Sequence, residues 1–194
     1  MGGSGDFFCI PFYDGDNTYG VMGAYEFCFS KDTLITVLGK DQPSKRSVST
    51  IKKDDYVLTL NGNEKVYSKV KENIKYEKVV PFYTFKLKDK SSKCKYISVT
   101  ANHSMIIFNK NEETYFKYAN QVVKGDLIRT IDGIGEVIEI KKEVKQNCYK
   151  LVVEQGSVLA NDILVGAMYF RENENRKQFD KILESAKIPI EIKN

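Results

Sequence analysis

Short apolar runs rich in Val, Ile, Tyr and Phe follow one another through the middle of the chain. Runs of this length and composition predict β-strands. The predicted strands are Leu34–Leu38, Tyr56–Leu60, Lys65–Ile74, Val79–Leu87, Tyr96–Thr100, Met105–Phe108, Thr114–Tyr118, Leu127–Thr130, Glu136–Ile140, Tyr149–Val153 and Asp162–Val165. The Asn-Gly-Asn sequence at 61–63 predicts a hairpin, because Asn and Gly accept positive φ. So many short strands predict an all-β sandwich or barrel rather than a parallel α/β fold.

A short internal repeat lies within this β region. Residues 51–59 (IKKDDYVLT) resemble residues 122–130 (VVKGDLIRT), and each stretch is a polar turn that leads into a strand. Two related halves packed face to face would form a β-disk with a pseudo-twofold axis. The repeat therefore favours a fold made of two fused copies of one unit.

The pattern changes on both sides of the β region. Residues 171–187 are highly charged and predict an amphipathic helix that docks on the β body. Pro189 ends this helix, and residues 188–192 are expected to form an edge strand or an extended tail. Residues 6–27 lack a periodic pattern and are expected to lie as a leading peptide on other parts of the protein. The apolar side chains of the predicted helix are Phe179, Ile182, Leu183 and Ala186.

Composition limits the possible functions. Lysines and acidic residues alternate along most of the chain and the net charge is only +4, so no nucleic-acid groove is predicted. No apolar stretch is long enough for a transmembrane helix, and no signal peptide is visible. A single histidine and four cysteines without C-x-x-C spacing argue against a metal centre. We therefore expect no nucleic-acid partner, no membrane partner, no metal and no cofactor.

The expected organisation has three parts. Residues 1–27 are interpreted as a leader and an upstream peptide, residues 28–169 as one β domain, and residues 170–194 as a helix and tail. The length of 194 residues suits one domain with appended segments.

Two stretches carry the candidate chemistry. Cys28 stands just before a predicted strand, where a cysteine is usually a small packed residue. His103 is the only histidine in the chain, ends a predicted strand and follows Thr100 by three residues. Together they can be interpreted as a nucleophile and a proton carrier, because a thiolate attacks carbonyl groups and an imidazole titrates near neutral pH.

The bond on which they would act is the peptide bond between Phe27 and Cys28. Attack of the Cys28 sulfur on the Phe27 carbonyl would replace the amide by a thioester. The site must stabilise the oxyanion and deliver a proton to the departing nitrogen. His103 is expected to deliver the proton, and Thr100 is expected to hydrogen-bond the Phe27 carbonyl or to hold the imidazole.

These residues resemble the sequence blocks of the Hint superfamily, which includes inteins, bacterial intein-like domains and the autoprocessing domain of hedgehog proteins. Residues 28–33 (CFSKDT) resemble its first block, and Thr100–His103 resembles its Thr-x-x-His block. Residues 149–154 (YKLVVE) with 158–165 (VLANDILV) resemble the closing block of inteins. The resemblance implies a horseshoe-shaped Hint fold with pseudo-twofold halves. It also implies an N-to-S acyl shift with Cys28 as nucleophile, with supporting positions at Asp32, Thr33, Asn102 and Asn161.

Departures from the family pattern bear on the subtype. Inteins end their closing block with His-Asn, where this chain has Gly166-Ala167, so full splicing is not expected. Asn161 falls at a strand turn and has no cyclising role in this alignment. Lys150 stands where the closing block often carries an Asp. Lys75, with Glu77 close by, stands where hedgehog domains use an Asp to activate a sterol, so sterol transfer is not expected.

The expected function is an autocatalytic acyl shift at Phe27–Cys28, followed by cleavage or transfer of the upstream polypeptide without splicing. The acceptor would be water, a small thiol or amine, or another protein. The upstream partner would be a fused domain, of von Willebrand factor type A if the chain is similar to Vint domains. Cys94 and Cys148 could resolve the thioester or bind a metal, although packed or surface thiols are the simpler interpretation.

Two alternatives stay open at this point. One is an intein-like splicing domain with an atypical C-terminal step. The other is a Hint-fold binding module that no longer cleaves, or that waits for a ligand.

Overall fold

The computed structural model describes residues 10–14, 17–22, 27–109, 111, 113–167 and 176–187. Eleven strands form one sheet in which the pairings are antiparallel. The all-β fold with a C-terminal helix is therefore confirmed. The elements are β1 (Ile10–Asp14), β2 (Asn17–Met22), β3 (Leu34–Val37), β4 (Ser44–Ser47), β5 (Tyr56–Asn61), β6 (Glu64–Asp89), β7 (Cys94–Thr100), β8 (Ser104–Phe108), β9 (Thr114–Tyr118), β10 (Leu127–Thr130), β11 (Gly133–Val153), β12 (Ser157–Ala160), β13 (Ile163–Gly166) and α1 (Arg176–Ala186).

Two very long strands, β6 and β11, pair with each other and are the longest strands of the sheet. They pair from Gly135 opposite Asp89 to Val153 opposite Val70, with three bulges that let the pair bend. The sequence predicted two separate strands in place of each. The middle sections of both strands are polar and lack an apolar pattern. Hydrogen bonds between the two strands, rather than burial of side chains, therefore stabilise these sections.

The internal repeat is confirmed as a structural repeat. A single 3₁₀ turn precedes each copy, at Val48–Thr50 and at Ala119–Gln121. In the first copy the Asp55 carboxylate accepts the Lys52 N–H at 2.8 Å, and in the second the Asp126 carboxylate accepts the Val123 N–H at 2.9 Å. In both copies the polar turn then leads into a short strand, β5 or β10, and a hairpin into a long one. The two halves of the disk therefore have the same local construction.

The core lies between the two halves and takes side chains from both. The largest fully buried side chains include Phe29, Phe85, Ile97, Met105 and Leu151. Burying aromatic and aliphatic side chains of this size contributes about 1.5–3 kcal/mol each. This apolar packing holds together the strand ends that carry the candidate site.

The C-terminal helix α1 docks on the sheet as the sequence predicted. Ile182 and Ala186 are buried in an apolar cluster, with Leu183 packed against it. The Leu183 and Ser185 carbonyls, near the end of the helix, accept hydrogen bonds from the Thr114 hydroxyl and the Gly62 N–H. These bonds satisfy carbonyls that a helix end cannot pair internally. The helix is shorter than predicted, since residues 171–175 lie outside the described residues, as does the predicted tail at 188–192.

Several short elements differ from the sequence prediction. The structure has an unpredicted hairpin, β1–β2, within the segment that lacked a periodic pattern. It also has β4 and β12, which were not predicted, and the sequence of β4 is too polar to give an apolar signal. The predicted hairpin at 61–63 is confirmed, with Gly62 at φ 59° between β5 and β6. No described helix has the length and apolarity needed to cross a membrane.

Candidate active site

The residues around the predicted scissile bond lie inside the sheet. Phe29 forms β-bridges with Val99 of β7 on one side and Tyr149 of β11 on the other. The Phe29 N–H donates to the Tyr149 carbonyl at 2.8 Å, and the Tyr149 N–H donates to the Phe29 carbonyl at 3.0 Å. Phe27 is 3% exposed and Cys28 is fully buried. The Phe27–Cys28 bond is thus held in a fixed, water-excluded position.

Thr100 binds the backbone of Cys28 at both polar groups. Its hydroxyl accepts the Cys28 N–H at 2.9 Å, and its own N–H donates to the Cys28 carbonyl at 3.0 Å. The sequence suggested that this hydroxyl would contact the Phe27 carbonyl or the imidazole. The structure places it on the amide nitrogen that would leave in an acyl shift. Thr100 can therefore orient the leaving group directly.

His103 is reached by a tight turn from Thr100. The His103 N–H donates to the Thr100 carbonyl at 3.0 Å, and the Ala119 N–H donates to the His103 carbonyl at 2.9 Å. The imidazole packs edge-on against Phe29, with ring centroids 4.5 Å apart, and against Phe27 at 6.4 Å. The ring therefore touches the side chains on both sides of Cys28.

The buried imidazole of His103 is held in its neutral form. Burial lowers the pKa of His103 from 6.5 to about 3, and the backbone of Gly166 acts in the opposite direction. Neither ring nitrogen has a well-formed hydrogen bond among the described residues. The sequence expected titration near neutral pH, and burial among aromatic side chains is the reason for the difference.

The closing positions, Gly166 and Ala167, are packed too tightly for larger residues. A Cβ on Gly166 would lie 2.9 Å from the Ser104 Cβ and 3.1 Å from the Ser104 carbonyl oxygen. Ala167 is fully buried, and its N–H donates to the Gly156 carbonyl at 2.8 Å. A His-Asn pair would require these surroundings to move.

Two residues of β11 belong to the surroundings of Cys28. Cys148 is buried in one cluster with Cys28, Val80 and Phe82. Lys150, two residues further along the same strand, is only 7% exposed. Sequence reasoning considered Cys148 as a residue that could resolve the thioester and noted Lys150 only as a departure from the closing block. Neither was placed beside Cys28, because the pairing of residues 28–30 with β11 has no local sequence signal.

The supporting positions fall into two groups. Thr33 is fully buried, and its N–H donates to the Ser30 carbonyl at 3.0 Å, which fixes the turn between Cys28 and β3. Asn102 lies half-buried in the turn between Thr100 and His103, whereas Asp32 is exposed. Asn161 lies in the turn between β12 and β13, accepts the Leu34 N–H at 2.7 Å and donates to the Tyr96 carbonyl at 2.8 Å. These bonds tie strands together and give Asn161 a structural function.

The remaining positions lie away from this centre. Cys94 is exposed at the start of β7, which fits the surface-thiol interpretation. Lys75 and Glu77 form an exposed ion pair at 2.5 Å. Within the described part of the chain, no three His, Cys, Asp or Glu side chains cluster in a way that could hold a metal ion. Cys9 lies outside the described residues.

Comparison with solved structures identifies the fold. The DnaB intein from Synechocystis sp. PCC 6803 is 18% identical, with a TM-score of 0.58, covering 73% of this chain and 99% of the intein. An intein from a hyperthermophile is 17% identical, with a TM-score of 0.62 and the same coverage of both chains. The bacterial intein-like domain from Clostridium thermocellum is 19% identical, with a TM-score of 0.56, covering 72% of this chain and 97% of that domain. No family model and no curated protein matches the chain. The chain has the Hint fold of inteins and intein-like domains.

Proposed function

We propose that this protein is a self-processing domain that converts the Phe27–Cys28 peptide bond into a thioester. The upstream polypeptide then leaves Cys28 by cleavage or by transfer to another nucleophile, without splicing. In the first step the Cys28 sulfur bonds to the Phe27 carbonyl carbon, and the bond from that carbon to the Cys28 nitrogen breaks. The thiol proton ends on the new amino group, so the step is an isomerisation.

The observation that carries this proposal is the hydrogen bond between the Thr100 hydroxyl and the Cys28 N–H, at 2.9 Å. It is formed by a buried side chain and is directed at the one nitrogen that the reaction must release. A second bond from the Thr100 N–H to the Cys28 carbonyl fixes the residue in place. Holding the reacting atoms in one geometry removes much of the entropic barrier.

His103 suits the proton transfer because its pKa is about 3. At neutral pH the ring is neutral and can accept the thiol proton. The resulting imidazolium is a much stronger acid than an exposed one, so it can protonate the weakly basic amide nitrogen. Burial thus lowers the fraction of His103 that is protonated and raises the acidity of the protonated form.

Release without splicing is favoured by the packing at Gly166 and Ala167. Inteins end with His-Asn at these positions, by the sequence resemblance, and the asparagine cuts the downstream bond. Here a Cβ on Gly166 would already lie 2.9 Å from Ser104. This favours cleavage or transfer over a splicing domain with an atypical last step. A fused upstream domain, of von Willebrand factor type A by the Vint resemblance, is part of the proposal.

The test is intact mass spectrometry of the purified chain at neutral pH, with and without a large excess of a small thiol. The thiol competes with any acceptor inside the protein. We expect a thiol-accelerated split into residues 1–27 and 28–194. The split should be absent from Cys28→Ala and unchanged in Cys94→Ala, which removes an exposed thiol instead.

Two outcomes would contradict the proposal. One is a Cys28→Ala chain that splits at the wild-type rate. The other is a wild-type chain that yields neither fragment nor a new amino-terminal cysteine over several days, which would favour the binding-module alternative.

A further inference from the structure

The pairing of Phe29 with Tyr149 determines which residue lies opposite the nucleophile. These two residues exchange both backbone hydrogen bonds, so they form a hydrogen-bonded antiparallel pair. The next residues along, Cys28 and Lys150, therefore face each other across the two strands and project to the same side. Cys148 projects to this side as well, and it shares a buried cluster with Cys28, as this register requires.

Lys150 differs from the other lysines near the site in its burial. It is 7% exposed and is the only buried lysine among the side chains that the structure describes. Lys145, on the same strand, has a side chain 27% exposed. Lys75, on the neighbouring strand, has a side chain 44% exposed. The fold therefore places one buried primary amine opposite the candidate nucleophile.

We propose that the Lys150 amine is the internal acceptor of the acyl group, so that the protein transfers its upstream polypeptide onto its own side chain. This inference rests on the proposed thioester at Cys28. The Lys150 nitrogen attacks the thioester carbonyl carbon that belongs to Phe27, a C–N bond forms, and the C–S bond to Cys28 breaks. The proton released by the amine returns to the Cys28 sulfur. The product is a branched chain in which an isopeptide bond joins Phe27 to Lys150.

Three physical features favour this acceptor over an external one. Cβ atoms of directly opposed residues are about 4.5–5.5 Å apart, within reach of a four-carbon side chain. The Cys28 side chain has no exposed surface and packs against Val80 and Phe82, so bulk water has little access to a thioester there. An amide is more stable than a thioester, so the transfer is downhill.

The transfer has an unusual signature, because the mass of the chain does not change. Cys28 gains a free α-amino group while residues 1–27 stay attached through Lys150. A reagent specific for amino-terminal cysteine, such as 2-cyanobenzothiazole, labels this product after denaturation and thiol treatment. We expect full-length wild-type chain, incubated without thiol, to gain one label. Proteolysis and tandem mass spectrometry should then find the Phe27–Lys150 linkage.

Lys150→Arg is the decisive variant, because it keeps a long cationic side chain that does not act as a nucleophile. We expect it to lose the labelled full-length product and the linkage, at least tenfold below wild type. It should still split into residues 1–27 and 28–194 with excess thiol. Lys141→Arg, at an exposed position of the same strand, serves as the control and should behave as wild type.

The outcomes separate this inference from the proposed function. If wild type and Lys150→Arg split equally with thiol and neither contains the linkage, the acceptor assignment is wrong while the thioester stands. If thiol splits neither chain and no cysteine becomes amino-terminal, both proposals fail. If the linkage persists in Lys150→Arg at another lysine, the assignment to Lys150 is overturned.

Discussion

The turns at Asp55 and Asp126, called here the aspartate turns, and the Cys28 centre, formed by Cys28, Thr100 and His103, are both polar features within an apolar sheet. They differ in how fully their polar groups are hydrogen-bonded. In each turn the carboxylate has a backbone donor and a cation: Asp126 accepts the Val123 N–H and pairs with Lys117 at 2.8 Å. At the Cys28 centre, by contrast, the His103 ring is fully buried without a well-formed hydrogen bond from either nitrogen.

The difference separates polar groups that stabilise the fold from polar groups that are available for chemistry. A satisfied buried group contributes about 0.5–1.5 kcal/mol, whereas an unsatisfied one costs about 1–3 kcal/mol. The turns occur in both halves, as the pseudo-twofold fold requires. The buried histidine occurs once, so its cost has no structural explanation in the repeat. A buried polar group left unsatisfied in this way calls for an explanation, such as a catalytic one.

The largest expected effect is that of His103→Ala on cleavage. If His103 carries the proton, the thiol-dependent rate should fall about 10²- to 10⁴-fold, the usual contribution of a general acid. The rate is measured by intact mass over time. Ser104→Ala is the control, because its buried hydroxyl has no hydrogen-bond partner among the described residues. A His103→Ala rate within threefold of wild type would mean that His103 does not carry the proton and that the Cys28 centre, like the turns, has a structural function.

The second effect is a pH dependence of stability, measured in Cys28→Ala to prevent cleavage. The pKa of His103 is about 3 when folded and 6.5 when unfolded, so the unfolded chain binds more protons between these values. The free energy of unfolding should therefore fall as the pH falls below 6.5, by roughly 1.4 kcal/mol per pH unit. Urea unfolding at pH 6.5 and 4.5 should show this loss, and His103→Leu should lack most of it. Equal losses in both chains would mean that His103 does not resist protonation.

The third effect is that of Thr100→Val, which keeps the shape and removes the acceptor of the Cys28 N–H. We expect a loss of about 1–3 kcal/mol in the free energy of unfolding, together with at least tenfold slower cleavage. Thr59→Val is the matched control, because Thr59 is buried and bonds the Ser157 hydroxyl at 2.9 Å on other strands. It should cost similar stability without slowing cleavage. Equal slowing in both variants would point to a general loss of folding.

The smallest effect concerns the turns themselves. Asp126→Ala should lower the free energy of unfolding by about 1–3 kcal/mol, and Asp55→Ala should lower it by less. Asp126 has a side chain 11% exposed and a short ion pair, whereas Asp55 is 25% exposed and lies 3.4 Å from Arg46. Urea midpoints in Cys28→Ala measure both changes. In the active chain neither variant should alter the cleavage rate, and a hundredfold loss in either would contradict the structural interpretation of the turns.

Elements with local signals could be predicted from the chain. Short apolar runs predicted most strands, the repeat at 51–59 and 122–130 predicted the two halves, and helical spacing predicted α1. The order of Cys28, Thr100 and His103 along the chain, with their family resemblance, was enough to nominate the site. The continuity of β6 and β11 could not be predicted in this way, because their polar middle sections are held by cross-strand hydrogen bonds.

The environment of the site depends on how distant segments pack together. That His103 is buried with a pKa of about 3, that the Thr100 hydroxyl lies on the Cys28 amide, and that Lys150 faces Cys28 all depend on pairings between distant segments. Desolvation and hydrogen-bond direction are properties of surroundings rather than of residue type. A sequence can name the groups that could react, but their protonation and neighbours are set by how the sheet closes around them.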